Sequence, residues 1–253
     1  MNRYIEGGFR TKDSINQLKN SEPLISVITV SYNAEKHIEN CIKSVIAQSI
    51  LNIEHVIIDG NSLDSTVSII QNYDQQIAYW RREKDTGIYN AMNKAIEFAR
   101  GEWFIFLGSD DRLLSSFSEL IPYLKDNYAI YYGDYLSDNK RYGGKFTSYR
   151  LSKSGICQQN ILYPRSVFDK YQFQERYLSS ADYFLNIQCW ADKQFHWEYI
   201  PIIIANFSSE GFSGQYTDVE FESDRIRIIK KYLGFWIYLR YEFKQLQKKL
   251  KFK

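Results

Sequence analysis

Cysteine is scarce in this 253-residue chain, and its three copies, Cys41, Cys157 and Cys189, are far apart. An odd, scattered set without metal-ligand spacing argues against a disulfide framework and for a reducing compartment. No apolar run reaches the roughly 18 residues that a membrane-spanning helix needs. Residues 1–22 are polar and lack an apolar core, so no secretory signal is expected and the cytoplasm is the expected location. The dinucleotide fingerprint G-x-G-x-x-G and the phosphate-loop lysine motif are both missing, which excludes two common nucleotide-binding loops. The only histidines, His37, His55 and His196, have no partner at ligand spacing, so each reads as structural.

What is present describes one sizeable soluble α/β domain, with 44% hydrophobic and 25% charged residues. Rings are abundant, 21 Tyr and 16 Phe, which suits a sugar-binding cleft or an aromatic core and does not choose between them. The net charge of +2 hides an asymmetry: from Arg225 to Lys253 ten Lys/Arg face Glu242 alone, while the preceding residues carry 22 basic and 29 acidic side chains. An acidic body with a basic tail points to two surfaces with different partners. The acidic body and the lack of a recognition module make nucleic acid an unexpected partner.

Hydrophobic periodicity predicts a strand over 24–31, bounded by Pro23 and Asn33, and a helix over 35–48. A second strand over 53–58 runs into the turn-rich DGNSLDST, followed by a short helix over 65–73 and a third strand over 77–80. A helix over 88–100, closed by Gly101 as a C-cap, leads to a strand over 103–107 and directly to Gly-Ser-Asp-Asp. This alternation predicts a mostly parallel sheet covered by helices, with ligands outside the carboxyl ends of its strands. Residues 31–33, 59–64 and 109–111 should therefore converge on one edge. The second half reads as strands over 129–135 and 142–149, a helix over 180–191 and an extended stretch over 195–207.

Asp110 and Asp111 follow a buried strand. One carboxylate there can anchor a divalent cation that takes its other ligands from phosphates and water, and the cation then neutralises a leaving diphosphate. Equally, Ser109 or Asp110 can cap a helix starting near Leu114. Asp59, at the edge of the second strand, can accept from a nucleobase N–H or a ribose hydroxyl, or can simply build a turn; Asp64 reads as a helix cap.

The segments PLISVITVSYNAEKHIENCIKSVIAQS, HVIIDGNSLDST and EKDTGIYNAMNKAIEFARGEWFIFLGSDD, in that order, resemble the family 2 glycosyltransferases of GT-A fold, especially bacterial members that build surface polysaccharides. Past Leu114 the likeness is looser, carried by ICQQNILYPRSVFDKY, YLSSADYFLNIQCW and ANFSSEGFSG. The resemblance implies a GT-A domain over 23–224, after a polar lead over 1–22 and before a helix over 225–253. It also implies Mn²⁺ or Mg²⁺ and a nucleotide-sugar donor, with UDP the commonest nucleotide of the group. Carried over residue by residue, it gives Asp59 the base, Asp110 the ribose and Asp111 the metal, although this chain has Ser-Asp-Asp where a strict motif is Asp-x-Asp. Ser31 and Asn33 would line the nucleotide pocket, with Val30 contributing backbone. Asp85, Gly87, Asn90 and Asn93 lie where the family's loop approaches the donor, and Lys84 would offset phosphate charge.

Family 2 enzymes invert the anomeric centre, so a carboxylate must deprotonate the acceptor hydroxyl. Asp182, at the start of the 180–191 helix, matches that base, and its helix N-terminus is expected to keep it ionised. Asp134 is the runner-up, and Gln158 and Gln159 can hydrogen-bond a sugar. The acceptor implied is a glycan or a lipid-linked glycan. The alternative is a non-catalytic, nucleotide-binding assembly subunit of the same fold.

In the tail Ile229, Tyr232, Trp236, Leu239, Phe243, Leu246 and Leu250 recur at helical spacing, flanked by Lys230, Lys231, Arg240, Lys244, Lys248 and Lys249. Such a stripe suits peripheral contact with an anionic membrane, at the inner face of the cytoplasmic membrane. It suits equally well packing on the catalytic domain or pairing in a homodimer.

Overall fold

The computed structural model describes residues 4–12, 24–50, 52–208 and 217–251. Pro23, most of the lead, and most of the SSEGFSG segment lie outside the described residues. The strands are β1 (Ile5–Gly7), β2 (Ile25–Ser31), β3 (Ile53–Asp59), β4 (Tyr79–Arg82), β5 (Trp103–Phe106), β6 (Arg112–Leu113), β7 (Ala129–Ser137), β8 (Lys140–Tyr142), β9 (Ile161–Pro164) and β10 (His196–Asn206). The α-helices are α1 (Phe9–Lys12), α2 (Ile38–Ile46), α3 (Thr66–Asn72), α4 (Ile88–Phe98), α5 (Ser148–Leu151), α6 (Arg165–Phe168), α7 (Ala181–Ala191), α8 (Val219–Ile228) and α9 (Phe235–Lys251).

One sheet runs β1-β4-β3-β2-β5-β9-β7-β10-β6, with β8 paired to β7. Strands β4, β3, β2 and β5 are mutually parallel, whereas β9 is antiparallel to both β5 and β7. The apolar runs of the parallel strands are buried on both faces, and alternate residues feed opposite layers. Ile28, Val30, Ile58, Phe104 and Phe106 pack with Tyr89, Met92 and Ala95 of α4 and Leu185 and Ile187 of α7. Val27, Trp103 and Ile105 pack with Cys41 and Val45 of α2 and with Phe117 and Leu120 of a 3-10 helix at Ser115–Tyr123. His55 lies within β3, bonded to Thr29 Oγ1 at 3.0 Å, and burial pushes its imidazole down to about 3.

Residues 5–12 of the expected lead join this fold. β1 pairs antiparallel with β4, and Arg10 reaches Glu54 at 2.9 Å while that carboxylate also accepts from Arg100 N.

Several expectations are corrected. Gly101 caps nothing: α4 ends at Ala99 in an extended conformation, and Gly101 is small because a Cβ there would stand 2.5 Å from Ser26 N. The strand expected over 142–149 does not form: β8 ends at Tyr142, Gly143 and Gly144 take φ values of +129° and +86°, and the chain then enters α5. Ser109 and Asp110 do not cap the helix after them; β6 intervenes and Leu114 holds the cap position. The tail is not one helix. Residue 225 lies inside α8, a π turn covers Ile229–Leu233, and Gly234 at φ +92° breaks the chain before α9. Ile229 belongs to the core, so the stripe begins only at α9.

Candidate active site at the carboxyl edge of the parallel strands

Three loops leave the carboxyl ends of β2, β3 and β4 side by side, and buried hydrogen bonds knit them together. Asp59 is 1% exposed, and its carboxylate accepts from Ser62 N at 2.8 Å and from the Ser31 hydroxyl at 3.0 Å. Ser62 Oγ donates to the same carboxylate and accepts from Asn33 N at 2.8 Å, while Asn33 Oδ1 accepts from Leu63 N at 2.9 Å. Asn33 can do this because it adopts a left-handed φ of +50°. Ser31, Asn33 and Asp59 therefore form one cluster, with Ser62 at its centre, a residue the sequence reading passed over as turn. Arg82, at the end of β4, donates to Ser62 O at 2.9 Å and brings a cation to the same edge. Asp64 holds the start of α3, accepting from Thr66 N at 3.0 Å.

Asp85 lies against Gly60, which directly follows Asp59, and accepts from Gly87 N at 3.0 Å. Burial raises its carboxyl, and the negative charges of Asp59 and Glu83 push the same way. Lys84 is exposed, and its carbonyl accepts from Lys94 Nζ at 3.0 Å. Asn93 is turned to other use. Its amide donates to Phe173 O at 2.9 Å and its oxygen accepts from Phe173 N at 3.0 Å, a two-way clasp on the chain before α7.

The turn after β5 carries the aspartate pair. Asp111 is 1% exposed and accepts from Gln159 Nε2 at 2.7 Å, Ser208 N at 2.8 Å and Gly108 N at 3.2 Å. Burial, and then the charge of Asp110, pushes its carboxyl up to about 7. Asp110 is half-buried beside it. A Cβ on Gly108 would stand 2.5 Å from Asp111 Oδ2 and 2.9 Å from Asp110 Oδ1, so both carboxylates converge over a residue that must be glycine. Two convergent carboxylates, one of them raised by burial and by the charge of the other, suit a divalent cation that takes its remaining ligands from phosphate and water. Among the described residues no three His, Cys, Asp or Glu side chains are arranged to hold a metal by themselves.

Asp182 sits in the first turn of α7, where Tyr89 Oη donates to its Oδ1 at 2.7 Å. The expectation that the helix N-terminus lowers this carboxyl is corrected: burial outweighs both the tyrosine hydroxyl and the backbone N–H groups and raises it. Cys157 feels the charge of both acidic centres. Its Sγ contacts Gln159 Oε1 at 3.0 Å, Gln159 reaches Asp111, and the charges of Asp111 and Asp182 both help to raise the thiol after burial has done most. Asp134 is taken up elsewhere, accepting from Arg141 Nε at 2.7 Å, Gly144 N at 2.6 Å and Tyr199 Oη at 2.9 Å.

The profile of glycosyl transferase family 2 matches residues 26–185. The chain belongs to this family. Among curated relatives, the PGL/p-HBAD biosynthesis glycosyltransferase of Mycobacterium bovis is 30% identical over 211 residues, 79% of this chain and 82% of that protein. The putative teichuronic acid biosynthesis glycosyltransferase TuaG of Bacillus subtilis is 43% identical over 98 residues, 38% of this chain and 39% of that one. The fold is similar to that of S. aureus TarS 1-349 in complex with UDP-GlcNAc, at TM-score 0.66 and 18% identity, over 81% of this chain and 65% of that one. The mannosyltransferase PcManGT from Pyrobaculum calidifontis, in complex with GDP-Man and Mn²⁺, is similar at TM-score 0.60 and 16% identity, over 82% of this chain and 61% of that one. The family member described here thus spans less than two thirds of either solved structure, and these likenesses concern the fold alone.

Proposed function

We propose that this chain is an inverting glycosyltransferase. It transfers a sugar from a nucleotide-diphosphate donor, UDP-linked by preference, to a hydroxyl of a glycan or lipid-linked glycan during synthesis of a bacterial cell-surface polysaccharide. The observation that carries the reading is a pair of acidic centres of different design, near enough to each other that the charges of Asp111 and Asp182 both act on Cys157. Asp110 and Asp111 converge over Gly108, and Asp182 stands beyond Cys157 with Tyr89 as its hydrogen-bond donor.

The acceptor oxygen attacks the anomeric carbon from the face opposite the diphosphate. A new C–O bond forms as the sugar–phosphate C–O bond breaks, the nucleoside diphosphate leaves with that electron pair, and Asp182 takes the acceptor's proton. A carboxyl raised by burial is a better-matched base near neutral pH than a surface aspartate, provided it is ionised when the acceptor arrives; the Tyr89 hydroxyl favours that ionised form. Asp111, with Asp110, would hold Mn²⁺ or Mg²⁺, which when bound supplies positive charge to the leaving diphosphate. The Ser31, Asn33, Asp59 and Ser62 cluster shapes the wall for the base and ribose, and Arg82 and Lys84 offer charge to the phosphates. The names of the relatives, which place them in PGL/p-HBAD and teichuronic acid biosynthesis, support a cell-surface glycan as product, and the UDP-GlcNAc complex of TarS supports the donor class.

Asp182→Asn tests the reading. Sugar transfer should fall at least about 10³-fold while nucleotide binding, read by thermal shift with UDP and Mn²⁺, is retained. Transfer surviving in that variant would remove Asp182 as base. Binding without turnover in the wild-type chain, over a panel of donors and acceptors, would instead favour a non-catalytic assembly subunit.

A further inference from the structure

Helix α9 turns its apolar stripe away from the protein. At 3.6 residues per turn Phe235, Trp236, Leu239, Phe243, Leu246 and Leu250 fall within about 100° of arc. All six are exposed, Trp236 by 81% and Leu250 by 74%. The helix is held by its other side: Tyr241 is buried, Arg240 lies over the Tyr149 ring at 3.9 Å, and Tyr149 and Lys153 line a shallow cleft with Gln245 and Lys248. Gly234 makes this possible. Its φ of +92° is costly for any residue with a Cβ, and it turns the chain out of the core path of Ile228 and Ile229. Lys244 and Lys249 stand on the exposed flanks of α9, Lys230 and Lys231 precede it on the π turn, Arg240 and Lys248 lie on the side that meets Tyr149, and Glu242 is the only acidic residue from Arg225 onward.

We propose that α9 is an interfacial helix that docks this protein on an anionic lipid bilayer. The six apolar side chains enter the acyl boundary, and the long basic side chains extend to the headgroups. Charge decides between lipid and a second copy. Two such helices face to face would bring basic flanks together with only Glu242 on each to answer them, whereas an anionic headgroup layer complements every Lys and Arg. Docking is separable from the transfer chemistry, because none of the residues placed in the candidate active site lies on α9.

Co-sedimentation with vesicles of phosphatidylcholine and phosphatidylglycerol, compared with phosphatidylcholine alone, tests the proposal. The wild-type chain should bind the anionic vesicles about tenfold or more tightly than the neutral ones, with binding weakened by added salt. Trp236 emission should shift to the blue on binding. The double variant Phe243→Ser with Leu246→Ser alters only exposed side chains, so it should keep its melting temperature and UDP binding while losing vesicle binding. Replacing Lys244, Lys248 and Lys249 by Gln should abolish the preference for anionic lipid. No vesicle binding by the wild type, or equal binding by the double variant, would overturn the proposal. So would a wild-type dimer, without lipid affinity, that the double variant makes monomeric; that result assigns the face to a second copy. Transfer to a water-soluble acceptor, retained in the double variant, distinguishes failed docking from failed transferase chemistry.

Discussion

Replacing Tyr89 by Phe removes one oxygen and leaves the ring that packs at 5.5 Å on Phe173. The lost group is the hydroxyl that donates to Asp182 Oδ1 at 2.7 Å. A hydrogen bond to a charged group contributes about 1.5–3 kcal/mol, and each 1.36 kcal/mol of preference for the ionised form is about one pH unit. Tyr89→Phe should therefore move the acid limb of the kcat/KM profile upward by about one to two pH units. Below the new limb the rate falls about tenfold per unit, and on the alkaline plateau it returns towards the wild-type value. KM for the donor should change little, because Tyr89 faces the base and not the nucleotide wall.

The same variant makes a second, thermodynamic prediction whose sign can be worked out. Burial raises the Asp182 carboxyl in the folded protein, so the folded state holds this proton more tightly than the unfolded state. The stability contributed by this group is present at acid pH and is lost as pH rises through its folded value. Without the Tyr89 hydroxyl the ionised form is still less favoured, so Tyr89→Phe should destabilise the protein more at about pH 8 than at about pH 5. Urea unfolding at the two pH values, beside the rate profile, reads both effects. An unmoved acid limb, or an equal loss of stability at both pH values, would refute the assignment of Tyr89 as the group that positions Asp182 and favours its ionised form.

The Asp111 carboxyl, pushed up to about 7, should likewise make the ligand-free protein lose melting temperature as pH rises towards and through neutrality. UDP with Mn²⁺ should flatten that fall and EDTA should restore it; a pH dependence indifferent to both would count against the metal site. Gly108→Ala drives a Cβ to 2.5 Å from Asp111 Oδ2, and should cost on the order of 10²-fold in transfer with a small change in stability, read by kinetics beside thermal unfolding. Asn93→Ala breaks the clasp on Phe173 and should destabilise by about 1–3 kcal/mol, leaving the UDP affinity unchanged in calorimetry. A weakened UDP affinity in the folded variant would return Asn93 to the donor site. Gly101→Ala meets Ser26 N at 2.5 Å and should cost about 1–3 kcal/mol in urea unfolding without altering UDP binding.

The parallel half of the sheet was legible because its strands are buried on both faces. The run 103–106 is then wholly apolar and 25–31 mixes Ile and Val with small Ser and Thr, and the residue that ends the run marks the sheet edge. Topology brought Ser31, Asp59 and Asp110 to that edge with no further signal needed. The second half was harder to read because its strands end on tertiary contacts. β8 stops where Asp134 gathers Arg141, Gly144 N and Tyr199 into one buried centre, and nothing local to residues 140–149 announces that carboxylate. Asn93 shows the same limit from the other side. Its place in a motif suggested the donor, and its actual partner lies 80 residues later.

The carboxyl of Asp182 is shifted in the direction opposite to the one its helix N-terminus suggests, for a reason that applies to the neighbouring carboxyls as well. A helix N-terminus is a local feature, contributes at most about 1–2 kcal/mol to a nearby carboxylate, and can be read from sequence. Desolvation is set by everything that packs around the group, and at Asp182 it acts in the opposite direction and prevails. Asp85 and Asp111 follow the same rule, each raised with burial as the leading cause. Asp85, Asp111 and Asp182 are all raised by burial, and among the described residues no basic side chain is bonded to any of them, so this group of carboxyls is poorly balanced on its own. In the proposed reaction a divalent cation held by Asp110 and Asp111 and an acceptor proton taken by Asp182 would balance it.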